Sequence, residues 1–123
     1  MIPTEHDEQK ALFQWAAANA RVHPSLSLLY AIPNGGHRHK AVAAKLKAEG
    51  VKRGVPDICL PVSNADFNGL YIELKRRKNS SASSEQRKWI SSLQGQGYQA
   101  VVCKGWDEAR KVIQNYLQIG GVV

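Results

Sequence analysis

The chain has 123 residues, a length that fits one domain spanning 1–123 and leaves no room for a second independent core. Its 43% hydrophobic and 22% charged residues match an ordinary globular chain, and no run approaches the ~18 apolar residues a membrane span needs. Seventeen Lys and Arg against ten Asp and Glu give a formal charge of +7, which suits either a polyanionic partner or simple solubility.

Thr4 and Asp7 stand at capping-box spacing, so an alanine-rich helix is expected over about residues 5–21, ended by His23-Pro24. The first eight residues are neither basic nor followed by an apolar stretch, so no secretory leader is expected and the cytoplasm is the expected location. Residues 26–32 are apolar and bounded by Pro33-Asn34-Gly35-Gly36, which reads as a strand and a tight loop. Residues 40–49 form a second helix stopped by Gly50 in the C′ role. Pro56 introduces a strand over 57–62, weakened near its end by Pro61. A polar turn at 63–69 leads to a strand over 70–75. After a serine-rich loop, Ser83 and Gln86 repeat the capping-box spacing and start a helix running to about Gln94. Residues 98–103 make a last strand and 106–117 a last helix. The order α-β-α-β-β-α-β-α is an α/β fold, one mixed sheet flanked by helices. Cys59 and Cys103 lie in apolar strands, where buried free thiols are favoured over a disulfide.

In the strand Leu70-Tyr71-Ile72-Glu73-Leu74-Lys75, alternation puts Glu73 and Lys75 on one face with Tyr71. Alone, such a pair is commonly a solvated ion pair. If the turn at 63–69 closes a hairpin, however, Asp57 falls opposite Leu74 and next to Glu73 and Lys75. Two converging carboxylates need a cation or a proton between them. Oxygen ligands alone suit Mg²⁺ or Mn²⁺, with Asp57, Glu73 and the Leu74 backbone carbonyl as the expected donors. Lys75 is expected to orient or deprotonate a water and to offset charge on a phosphate. Two helices offer support. Glu8 leads the stripe Leu12, Trp15, and Gln86 leads Trp89, Ile90, Leu93, so each either projects into the cleft or merely favours a first helical turn. Basic residues flank the site in two clusters, Arg38, Lys40, Lys45, Lys47, Lys52, Arg53 and then Lys75-Arg76-Arg77-Lys78. The loop at Asn34-Gly35-Gly36 is either a plain turn or a place where backbone approaches phosphate. His37 and His39 lack a zinc-type partner set and read as DNA contacts or exposed side chains.

Pro56-Asp57 followed by Glu73-Leu74-Lys75 resembles the PD-(D/E)xK nuclease motif. Together with Glu8, Pro33-Asn34-Gly35-Gly36, Arg53-Gly54-Val55-Pro56-Asp57, and Gln86 before Trp89, it resembles the VRR-NUC (virus-type replication-repair nuclease) family over about residues 8–106. The resemblance implies a restriction-endonuclease-like core in a stand-alone phage or bacterial protein. It implies Glu8, Asp57, Glu73, Lys75 and Gln86 as catalytic residues, with Glu8 a further candidate metal ligand. Asn34, Gly35, Arg38, Lys40, Lys45, Lys47, Lys52, Arg53, Arg76 and Arg77 are the expected DNA-binding residues. It also implies Mg²⁺- or Mn²⁺-dependent cleavage of branched DNA, as in Holliday junction resolvases, by a homodimer. Val101, Val102 and Trp106 suit either that dimer interface or the core. A non-catalytic DNA-binding module has no need of converging carboxylates. A restriction-type nuclease usually needs added loops to read bases, and 123 residues leave little for them. A flap-cutting nuclease remains the other alternative.

Overall fold

The computed structural model describes residues 2–33 and 39–120. Its elements in chain order are α1 (Glu5–Asn19), a 3₁₀ turn (Pro24–Leu28), β1 (Tyr30–Ala31), α2 (Lys40–Ala48), β2 (Ile58–Leu60), β3 (Leu70–Lys75), α3 (Ser84–Gly95), β4 (Gln99–Lys104) and α4 (Trp106–Leu117). The capping boxes at Thr4/Asp7 and Ser83/Gln86 both form, each side chain taking the other residue's backbone N–H. After α2, Gly50 donates to Lys47 and Val51 to Leu46, a Schellman closure with Gly50 at C′. The expected strand over 26–32 is corrected: only Tyr30–Ala31 are extended, and Pro24–Leu28 wind as 3₁₀. Proline at the first helical position favours that start, because its fixed φ is already helical and its missing N–H is no loss there.

The strands form one sheet in the order β1-β2-β3-β4. The first three run antiparallel, and β4 joins β3 in parallel through α3, the kind of crossover a parallel pair requires. Register pairs Tyr30 with Cys59, Cys59 with Tyr71, and Tyr71 with Ala100, so these four share one face. Ile58, Leu60, Leu70, Ile72, Leu74 and Cys103 take the other face, where Leu12, Trp15 and Ala16 of α1 and Ala109, Ile113 and Tyr116 of α4 close the core. Leu26 and Leu29 seal its edge. On the first face α3 packs against β4, with Gln94 Nε2 donating to the Ala100 carbonyl at 2.9 Å. Helix α2 buries none of its residues. Cys59 and Cys103 are buried free thiols, as expected. No helix among the described residues is long and apolar enough to cross a membrane. Val101 and Trp106 pack on the core, while Val102 is 36% exposed.

Because Ile113 is fully enclosed and α2 stands outside the core, the two should respond differently to truncation. Ile113→Ala should lower stability by about 2–5 kcal/mol, whereas Val42→Ala should change it by no more than about 0.5 kcal/mol. Denaturant midpoints at constant m-value would measure both, and comparable losses would contradict this placement of the core.

Candidate active site

Asp57 sits just ahead of β2 behind the buried ring of Pro56, and its carbonyl accepts from Ile32 N–H at 2.7 Å. Its carboxylate Oδ2 accepts from the Leu74 backbone N–H at 2.9 Å. The β2–β3 register, carried one step past Ile58–Ile72, sets Asp57 across from Glu73 rather than from Leu74. The hairpin is therefore tighter by one residue than the sequence reading had it. The side chain still reaches Leu74, but from beside Glu73.

Glu73 is 1% exposed, inside a sheet where a carboxylate is costly to bury. Its Oε2 accepts from Gln86 Nε2 at 3.1 Å and faces Lys75 Nζ at 3.6 Å. Its Oε1 is buried with no hydrogen-bond partner. Burial first, and then the adjoining Asp57 carboxylate, push Glu73 up to about 9, with Lys75 opposing the shift and Glu5 adding to it. At neutral pH the carboxylate pair thus keeps a proton unless a cation takes its place.

The chemistry of the donors can be tested against a metal. Within one strand residue N–H and C=O leave on the same side, so the Leu74 carbonyl faces the Asp57 side as its N–H does. Two carboxylates, one of them with an orphaned oxygen, and a backbone carbonyl form an all-oxygen set. Among the described residues no three His, Cys, Asp or Glu side chains gather as a metal-binding group. That pattern fits Mg²⁺ or Mn²⁺, which bind through one or two carboxylates and keep the rest of the shell for water and phosphate.

Gln86 serves two functions at once. Its Oε1 accepts from Ser83 N–H at 2.8 Å, closing the capping box, while its Nε2 holds Glu73. Gly54 fixes this helix start relative to Asp57. It has φ +90°, and a Cβ there would stand 2.8 Å from the Glu85 backbone. The segment leading into Asp57 therefore lies directly on the first turn of α3.

A family model for the VRR-NUC domain matches residues 4–107. The chain belongs to the VRR-NUC family. A solved structure described as a VRR_NUC domain protein aligns with a TM-score of 0.83 at 33% identity, covering 98% of this chain and 93% of its own. The fold similarity thus extends over nearly the whole chain, and the family is of nuclease type. No curated protein matches the chain.

Of the residues that marked the VRR-NUC resemblance, the structure brings Asp57, Glu73, Lys75 and Gln86 together. Glu8 meets other partners. It is 1% exposed, but Arg77 Nε donates to its Oε2 at 2.9 Å, and Arg77 Nη2 and Trp106 N–H donate to its Oε1 at 3.3 and 3.1 Å. Glu8 is thus a clamp between α1, the end of β3 and the start of α4, where its charge also favours the helix dipole. Arg77, 38% exposed, also pairs through Nη1 with Asp107 at 2.9 Å, so its guanidinium is shared between two carboxylates. Arg76 tethers the chain start through the Ile2 and Pro3 carbonyls. Lys40, Lys45, Lys47, Lys52 and Arg53 are exposed, with Arg53 beside Glu85 at 3.8 Å. His39 precedes α2 and is exposed. Asn34, Gly35, Gly36, His37 and Arg38 lie outside the described residues. Trp15 is core, and Trp89 is half-buried on α3. The residue missed is Glu5, whose charge acts on Glu73 from the first turn of α1. Glu5 and Glu8 both lead toward Leu12 at helical spacing, which is the one signal the sequence held.

Two outcomes follow. Glu73 has a folded pKa raised above its ordinary 4.5 to about 9, so its contribution to stability is full below about 4.5 and lost as pH rises through about 9. In EDTA the melting temperature should fall over that window, and Glu73→Gln should flatten the fall; an unchanged slope would contradict the shift. Glu8→Ala leaves the Trp106 N–H without its acceptor and should cost about 1–3 kcal/mol. It should leave divalent-ion affinity within about twofold, because both Glu8 oxygens are taken by Arg77 and the Trp106 N–H. Denaturation and calorimetry on the one variant check both.

Proposed function

We propose that this chain is a Mg²⁺- or Mn²⁺-dependent endodeoxyribonuclease that hydrolyses phosphodiester bonds in branched DNA such as four-way junctions, acting as a homodimer in the cytoplasm. The observation that carries the reading is the buried Glu73 carboxylate, with Oε1 unpartnered and the Asp57 carboxylate beside it. A domain that only bound DNA would gain nothing from two apposed carboxylates, and hydrophobic residues there would pack at lower cost. Asp57, Glu73 and the Leu74 carbonyl would hold the ion. When bound, it supplies Lewis acidity toward a phosphoryl oxygen and makes water a stronger acid.

The side chains supply the rest. Gln86 fixes the orientation of Glu73 through Oε2, leaving Oε1 directed into the site. Lys75, only 12% exposed and 3.6 Å from Glu73, stands where it can orient a water and offset charge developing on the phosphate. Lys40, Lys45, Lys47, Lys52 and Arg53, free of the core, supply the salt-sensitive hold on the DNA backbone. One subunit offers one such site. Two opposed cuts at a junction call for a second, which a two-fold dimer provides by the commonest symmetry of small oligomers.

The test is cleavage of end-labelled junctions, flaps and duplexes with Mg²⁺, Mn²⁺ or EDTA, and light scattering of the protein. Junctions should be cut with either ion and not in EDTA, by a species of two subunits. Lys75→Ala should abolish cleavage with DNA affinity kept within about twofold, since one charge among many adds little to the salt-dependent term. Replacing Lys45 and Lys47 should weaken binding and lower the salt slope by up to about one unit per lost contact. Wild-type cleavage by Lys75→Ala would remove it from the reaction.

A further inference from the structure

Two residues back along β3 from Glu73, on the same face and about 7 Å away by strand spacing, stands Tyr71. Register extends it into a cross-strand row, Tyr30–Cys59–Tyr71. The same alternation that places Glu73 beside Asp57 places Tyr71 beside Cys59, so the row adjoins the carboxylates. The helix on this face, α3, packs against β4 at the opposite side of the sheet. Cys59 is nevertheless only 4% exposed. Its register neighbours on either side are the two tyrosines; burial first, and then the thiol, push Tyr71 up to about 12. Tyr98 supports Tyr71 edge-on, with ring centroids 5.3 Å apart and planes at 78°. Tyr30, on the two-residue edge strand, is 47% exposed.

The row is therefore a shallow aromatic floor that begins beside the carboxylates and opens to solvent at Tyr30. Its two phenols, raised above their ordinary value, carry no charge at neutral pH, whereas the adjoining site in the proposed reading handles phosphate. A strand of DNA alternates the same two chemistries, an anionic phosphate and an uncharged π-faced base, and aromatic side chains take any base by stacking. A base inside a duplex has both faces covered by its neighbours, so only an unpaired or extruded base can lie on such a floor.

We infer that Tyr30 and Tyr71 form a stacking platform for an unpaired base of the DNA strand that passes the Asp57–Glu73 carboxylates. The inference rests on the nuclease reading above and adds to it a substrate feature: a splayed nucleotide beside the bond that is cut. Tyr71 sets the base nearest the reacting phosphate, and Tyr30 extends the platform outward.

The experiment uses the full chain with Ca²⁺ in place of Mg²⁺, so that binding is read without cleavage. The probes are a duplex with a single-stranded flap carrying 2-aminopurine at the first unpaired position, and the matching blunt duplex. Wild type and Tyr30→Phe should quench the 2-aminopurine and prefer the flap. Tyr30→Ala should lose the quench, and its preference for flap over blunt duplex should fall by about tenfold, the scale of one lost base stack. Its affinity for the blunt duplex should stay within about twofold, since phosphate contacts are untouched. An unchanged quench and an unchanged flap-to-blunt ratio in Tyr30→Ala overturn the platform. So does an equal loss on both probes. If Tyr30→Ala does not melt cooperatively, Tyr30→Leu keeps the apolar cover over Cys59 and is judged by the same ratio. Failure of wild type to cut DNA with Mg²⁺ or Mn²⁺ would overturn the nuclease reading instead, through a separate measurement.

Discussion

A carboxylate sealed inside a sheet with another carboxylate beside it is the constraint around which this molecule is arranged. As an ionised carboxylate, Glu73 is not satisfied by its neighbours. Gln86 and Lys75 both meet Oε2, and nothing meets Oε1. Elsewhere in a protein such a group would be replaced, because an unpaired buried polar atom costs about 1–3 kcal/mol. In the function proposed above, a divalent cation is the partner that takes this place. Burial and the adjoining Asp57 carboxylate raise the Glu73 pKa to about 9, so a proton otherwise fills the gap.

The remaining elements fix the positions of that pair. The β2–β3 register brings Asp57 across from Glu73, and the Gly54–Glu85 approach sets the start of α3 against the segment that carries Asp57. Gln86 can then join a capping box and a site contact in one side chain. At the far side, the buried Glu8 ties α1, the end of β3 and the start of α4 through Arg77 and the Trp106 N–H. Glu8 and Glu73 are the two buried charged residues among those described, and their settings differ. Both oxygens of Glu8 are met by donors. Glu73 has one that is not, which makes it a ligand candidate.

Much of this was legible in the chain itself. Alternation over Leu70 to Lys75 and the final helix from Trp106 matched the structure residue for residue, because strand and helix periods are unambiguous where apolar residues are regular. Both capping boxes were readable from three-residue spacing. Periodicity failed at Pro24–Leu28, where an apolar run without alternation fits a strand or a tight turn equally well. It also failed to separate Glu5 from Glu8, since both head the same stripe and only packing decides which meets Arg77. Arg77 stood in a run of basic residues and looked like a DNA contact. Its pairing with Glu8 spans 69 positions, and no local pattern encodes that.

The central claim, that Asp57 and Glu73 hold a divalent cation, is tested most directly by diffraction from crystals grown with Mn²⁺. An anomalous peak is expected within coordination distance, about 2.1 Å, of both the Asp57 and the Glu73 carboxylates, and it should vanish in Asp57→Ala. A peak at Glu8, or none beside Glu73 in a protein that cuts DNA with Mn²⁺, would contradict it.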